Sequence, residues 1–158
     1  MFTRKNKRGG LVFDFLPLAQ PAGLSPALLA YVGDAVFEVY VRSVLAAKWP
    51  GNMDEIHHQA VLSVKAEAQA RMLKYIEDAL TDEERDIVRR GRNSKAGHIP
   101  KNAAMMDYRY STAFESLIGF LYLGGQVERL SEILGKLEGH ILNGGEDNNE
   151  SGLDKLDT

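Results

Sequence analysis

The sequence predicts an all-α protein. Stretches rich in Ala, Leu, Glu, Gln and Lys follow one another with apolar residues at helical spacing. Helix start and stop residues punctuate them, and nothing reads as a strand of alternating apolar and polar residues. A chain of 158 residues with 44% hydrophobic content suits one domain with its own core.

Residues 1–23 read as a partly flexible N-terminal segment bracketed by Gly9-Gly10 and Pro21-Ala22-Gly23. Arg4, Lys5, Lys7 and Arg8 precede the apolar stretch from Leu11 to Ala19, but Asp14 and Pro17 interrupt it, which argues against a secretory signal. No other apolar run approaches the roughly 20 residues of a membrane span. The absence of cysteine excludes disulfides and thiolate metal sites, so the expectation is a soluble cytoplasmic protein.

The domain proper spans residues 24–142. Ser25-Pro26 is an N-cap followed by proline at the first helical position, predicting a helix to Lys48 that ends at Trp49-Pro50-Gly51-Asn52. Asp54 to Ala79 is helix-forming almost throughout, with a division expected near Ala60. Thr81 and Glu84 form a capping box that starts a helix stopping at Gly91. Arg92 to Asn102, with Gly97 and Pro100, reads as a loop. Tyr110 to Leu123 is a helix closed by Gly124-Gly125, and a last amphipathic helix covers Gln126 to Leu142. Residues 143–158 are acidic and read as disordered.

Two acids stand out. Leu28, Leu29, Val32, Val36, Val39 and Tyr40 form an apolar stripe on the first helix, and Ala27, Ala30, Phe37 and Val41 surround Asp34 on its other side. A helix apolar nearly all round is expected at the centre of a fold, with Asp34 largely buried. Glu115 is likewise the single acid among Phe114, Leu117, Ile118, Phe120, Leu121, Tyr122 and Leu123. Burying an isolated ionised carboxylate costs several kcal/mol or more, so each needs a partner. An arginine such as Arg42 or Arg109 would serve, and so would a metal ion. Glu38 lies one turn from both Asp34 and Arg42, which suits an i,i+4 ion pair or a role beside Asp34. His57 and His58 neighbour Asp54 and Glu55, but adjacent helical residues point about 100° apart, and neither has a second histidine four residues away.

The net charge of -3 conceals an uneven distribution. Arg85, Arg89, Arg90, Arg92, Lys95, Lys101 and Arg109 face only Asp86 and Asp107 in their stretch. Within it Arg92, Asn93, Lys95, His98 and Lys101 mix cations with small donors on a flexible backbone, a composition suited to phosphates. Aromatic residues for base stacking are missing from this loop, which favours a duplex groove read by shape over a single strand.

The motifs together resemble a known family. Leu28-Leu29-Ala30-Tyr31-Val32-Gly33-Asp34-Ala35-Val36 is similar to the signature helix of the ribonuclease III family, and Phe114-Glu115-Ser116-Leu117-Ile118-Gly119-Phe120-Leu121-Tyr122-Leu123 to its second acidic motif. Tyr40-Val41-Arg42, Gly91-Arg92-Asn93, Pro100-Lys101-Asn102-Ala103 and Tyr108-Arg109-Tyr110-Ser111-Thr112 resemble the short bacterial branch, the Mini-ribonuclease III enzymes. The resemblance runs from about Leu24 to Leu142. It implies a ribonuclease III-like helical fold and a homodimer. It also implies cleavage of double-stranded RNA by Mg2+ held on Asp34 and Glu115, with precursor ribosomal RNA as the substrate class. The chain has Ala27 and Ala30 where ribonuclease III proper has two further glutamates, and Thr112 where it has an aspartate. Thr112 and Glu38 are therefore candidates for supporting the two acids. A non-catalytic RNA-binding or ribosome-assembly protein of the same fold is the alternative, followed by a phosphohydrolase acting on small molecules.

Overall fold

A computed structural model describes Leu18, residues 20–94 and residues 103–143; all regular structure among them is helical. Helix α1 spans Pro26–Lys48. The Ser25 hydroxyl accepts from the Leu28 N–H at 3.2 Å, satisfying a donor that the first turn would leave orphaned, and Pro26 supplies the φ of a first helical residue. Helix α2, Met53–Val64, begins at a capping box in which Asn52 and Glu55 satisfy each other's backbone N–H groups.

The division expected near Ala60 falls instead at Lys65, whose extended backbone ends α2 and opens α3, Ala66–Ile76. No proline or glycine marks that break; Lys65 leaves helical geometry because both flanking helices pack to different neighbours. A 3-10 turn at Glu77–Ala79 leads to α4, Asp82–Arg92, which starts at the capping box of Thr81 and Glu84.

Helix α5 runs Ala103–Leu123 and so begins seven residues before the expected Tyr110. It ends in a Schellman turn: Gly125 takes φ 66°, and the Gln126 N–H reaches back to the Leu121 carbonyl at 2.9 Å. The expected last helix is two, α6 at Val127–Gly135 and α7 at Glu138–Leu142.

α5 is the hub, packed against α1, α3 and α4. Its Phe114, Leu117, Ile118 and Leu121 are fully buried, and Phe114 meets Phe37 of α1 edge to face with ring centroids 4.9 Å apart. No helix among the described residues is long and apolar enough to cross a membrane.

One ion pair closes the structure at the start of α4. Arg129 of α6 forks onto both carboxylate oxygens of Glu84 at 2.8 Å, and Nη2 also donates to the Ala79 carbonyl. The Glu84 side chain is 5% exposed, so Glu84→Gln strands a guanidinium against a neutral partner and is expected to cost about 3 kcal/mol in denaturant unfolding. Hydrogen bonding from Arg129 holds the Glu84 pKa below its ordinary 4.5. The pair's contribution is therefore full above pH 4.5 and is lost as pH falls through the lowered folded value.

Candidate active site

Two glycines let α1 and α5 cross with their backbones in contact. A Cβ placed on Gly33 would lie 1.7 Å from the carbonyl oxygen of Glu115, and one on Gly119 would lie 1.9 Å from the carbonyl oxygen of Leu29. No side chain fits at either position. Asp34 follows Gly33, and Glu115 stands one turn before Gly119, so the crossing that needs the glycines also sets the two acids beside each other.

Glu115 is half-buried on the hub helix, and its pKa is pushed up to about 7. Desolvation is the main cause, the neighbouring charge of Asp34 adds to it, and hydrogen bonding from the Gln69 side chain works the other way. Asp34 itself is exposed, which corrects the expectation of burial. Helix α1 is apolar nearly all round, but only one side of it packs within this chain; Leu28, Tyr31 and Val39 are 45%, 78% and 62% exposed. Among the described residues neither acid is ion-paired to an arginine or lysine. Arg42 is turned to Glu38 instead, at 3.3 Å.

Two neighbouring carboxylates, one exposed and one half-buried, are oxygen donors of the kind a hard divalent cation takes. Among the described residues no third acid or histidine joins them. Such a pair suits an ion that keeps most of its waters, as Mg2+ does.

A Ribonuclease III domain model matches residues 27–126, a span that holds both acids and both glycines. The chain belongs to the ribonuclease III family. Within it, the chain is 48% identical to Mini-ribonuclease 3 of Symbiobacterium thermophilum over 117 residues, covering 74% of this chain and 90% of the relative. It is 49% identical to Mini-ribonuclease 3 of Thermoanaerobacter sp. over 111 residues, covering 70% and 78%. A crystal structure of a Fusobacterium nucleatum protein superposes with a TM-score of 0.64 at 28% identity, covering 73% of this chain and 93% of that one. A member of the Mini-ribonuclease III branch is an endoribonuclease.

The remaining predicted positions divide. Glu38 is engaged by Arg42, the ion-pair reading of that residue. The Thr112 hydroxyl donates to the Tyr108 carbonyl of its own helix at 3.0 Å and is buried, so it satisfies the backbone of α5. Arg92 is half-buried at the end of α4 and Asn93 is the exposed C-cap, whose N–H returns to the Arg89 carbonyl. Lys95, His98 and Lys101 lie outside the described residues.

Part of the basic stretch has other employment in this ribonuclease III domain. Arg85 pairs with Asp82, and Arg89 with Asp86. Arg90 donates to the carbonyls of Ala22 and Leu24 at 2.8 and 3.2 Å, pinning the start of the domain to α4. Summing charge along the sequence thus overstated the cation surface of α4, because intrahelical acids and backbone carbonyls take up several of its arginines.

Gln69 was missed in the sequence. Its signal was available: Gln69, Met72, Leu73 and Ile76 form the buried stripe of α3, so a polar residue occupies a core position.

Proposed function

We propose that this enzyme cleaves double-stranded RNA as a homodimer in the cytoplasm, with Mg2+ held by Asp34 and Glu115. Its natural substrate is precursor large-subunit ribosomal RNA, the substrate class implied by its branch of the family. The observation that carries the reading is the meeting of two acids from distant parts of the chain with no basic partner among the described residues.

When bound, Mg2+ supplies Lewis-acid chemistry, making water a better nucleophile and offsetting charge on the scissile phosphodiester. The chain's part is to hold the donors. Asp34 presents its carboxylate at the surface where a phosphate can approach, while Glu115 stands half-buried beside it on the hub helix. The products are 5′-phosphate and 3′-hydroxyl ends. RNA is gripped through phosphates by Arg92, Asn93, Lys95, His98 and Lys101, so affinity for duplex should fall steeply as salt rises.

The dimer is supported by the exposed apolar stripe of α1. Leu28, Tyr31, Ala35 and Val39 flank Asp34 in solvent, and apolar side chains of that size repeated along one helix face call for a covering surface. A second copy meeting this stripe places two sites side by side, one for each strand. Tyr31→Glu puts a carboxylate into the interface and is expected to weaken dimerisation roughly a hundredfold, read by analytical ultracentrifugation. An unchanged dimer would move the interface elsewhere.

Magnesium and protons compete at Glu115. The group holds its proton more tightly folded, at about 7, than at the ordinary 4.5 of an unfolded chain, so folding stability decreases as pH rises between those values. Thermal melts in chelator should show that decline, and added Mg2+ should reverse it most at the upper end of the window. The function itself is tested by incubating long RNA duplex with the enzyme in magnesium and in chelator. Cleavage that survives chelation removes the metal from the account, and duplex left intact in magnesium removes the substrate.

A further inference from the structure

The arginines of α4 differ in their partners. Arg85 and Arg89 pair with acids of their own helix and Arg90 with two backbone carbonyls, whereas Arg92, in the last turn, makes no ion pair or hydrogen bond among the described residues. Arg109 of α5 is in the same condition. Both are half-buried.

The packing of α4 on α5 brings the two together. Arg109, Ala113 and Ser116 recur at i, i+4 and i+7 on one face of α5. Two of them meet Gly91 of α4: a Cβ built there would lie 2.8 Å from the Ala113 Cα and 2.9 Å from the Ser116 Oγ. The other end of α4 is tied through Glu84 to Arg129 of α6, which follows the C-terminal end of α5, so the two helices run antiparallel. Residues after Gly91 therefore lie beside residues before Ala113, which sets Arg92 alongside Arg109.

Neither guanidinium is needed to close α4. The Arg89 and Gly91 carbonyls already accept from the backbone N–H groups of Asn93 and Ser94, and the Ser94 hydroxyl also donates to the Gly91 carbonyl at 3.0 Å. Asp107, the acid nearest to Arg109 in sequence, stands about 200° around α5 from it. Two like charges held side by side and partly out of water cost free energy that an anion between them offsets.

We propose that Arg92 and Arg109 form a clamp on one phosphate of the RNA backbone. The inference rests on the duplex-RNA reading above, and adds to it a residue of α5 and a target shared between two helices. A guanidinium fork meets phosphate oxygens through two parallel N–H donors, and forks from two helices fix that phosphate in direction as well as in place. Arg109 lies six residues before Glu115, about 9 Å along the axis of α5 and about 120° around it. The clamp accordingly holds a phosphate to one side of the one at the acids, and its effect falls on binding and register rather than on bond breaking.

Binding of duplex RNA by the full-length protein in chelator, followed by fluorescence anisotropy over a salt series, tests the clamp. Arg109→Gln and Arg92→Gln are each expected to weaken binding roughly tenfold. The double variant should bind within about threefold of the weaker single variant, because either loss opens the clamp, and its slope of log affinity against log salt should fall by about one. In magnesium, Arg109→Gln should raise KM for duplex while kcat stays within about twofold of wild type. Wild-type affinity in Arg109→Gln overturns the proposal. So does a double variant whose loss is the product of the single losses and whose slope falls by about two, since the arginines then serve separate phosphates. Should a variant not fold, the wild type decides. The side-chain Nε–H signals of Arg92 and Arg109 in nitrogen-15 NMR are expected to shift together as duplex is added, and to shift less with inorganic phosphate at equal phosphorus concentration. Stationary signals, or signals moved as far by inorganic phosphate as by duplex, overturn the proposal. Wild-type protein that binds no duplex defeats the duplex-RNA reading and the clamp together. Wild-type protein that binds duplex beside an equally competent Arg109→Gln defeats the clamp alone.

Discussion

Asp34→Asn is expected to bind RNA duplex as the wild type does and to cleave it slower by a factor of roughly a thousand or more, equivalent to about 4 kcal/mol of lost transition-state stabilisation. The substitution keeps shape and removes one charge. Because Asp34 is exposed and has no ion-pair partner among the described residues, folding loses no interaction by the change, and the melting temperature should hold. A second reading is independent of RNA. The Asp34 charge is one of the forces raising the Glu115 pKa, so Asn at this position should bring the Glu115 titration down from about 7, though not to its ordinary value, since burial is the larger cause. NMR of the Glu115 carboxyl carbon reports it. Cleavage retained within tenfold of wild type would show that the chemistry is elsewhere.

Gly33→Ala and Gly119→Ala are expected to damage fold and activity together. The added methyl of Gly33→Ala would stand 1.7 Å from the Glu115 carbonyl oxygen, and that of Gly119→Ala 1.9 Å from the Leu29 carbonyl oxygen. Both obstacles are backbone on rigid helices and cannot swing aside as a side-chain tip could. Overpacking by a single methyl commonly costs about 1–3 kcal/mol where side chains can adjust, so here the loss should exceed about 3 kcal/mol in each variant. The helices must separate to fit the methyl, which also moves Asp34 away from Glu115. Denaturant unfolding measures the first effect and Mn2+ affinity the second. A variant that unfolds as the wild type does would mean that the helices are not in backbone contact at the crossing.

Much of this molecule was legible in its residues. Ser25-Pro26, the Thr81 and Glu84 capping box and Gly124-Gly125 mark real helix ends, because caps satisfy orphaned backbone groups locally and need no distant partner. The motifs around Asp34 and Glu115 pointed to one family, and the family model covers both. The break at Lys65 and the early start of α5 were not legible, since neither carries a breaking or capping signal and both follow from where neighbouring helices pack.

By itself, then, the sequence determined the helical class, the helix starts that cap locally, and the family to which the chain belongs. Tertiary structure alone decided that Asp34 is exposed, that Arg90 holds backbone carbonyls, and that Gln69 is buried with its amide on the Val64 carbonyl. The reason is range. Caps and periodicity are settled within a few residues, whereas exposure and pairing depend on which surfaces of distant helices meet, and at the α1–α5 crossing that is set by two hydrogen-sized side chains.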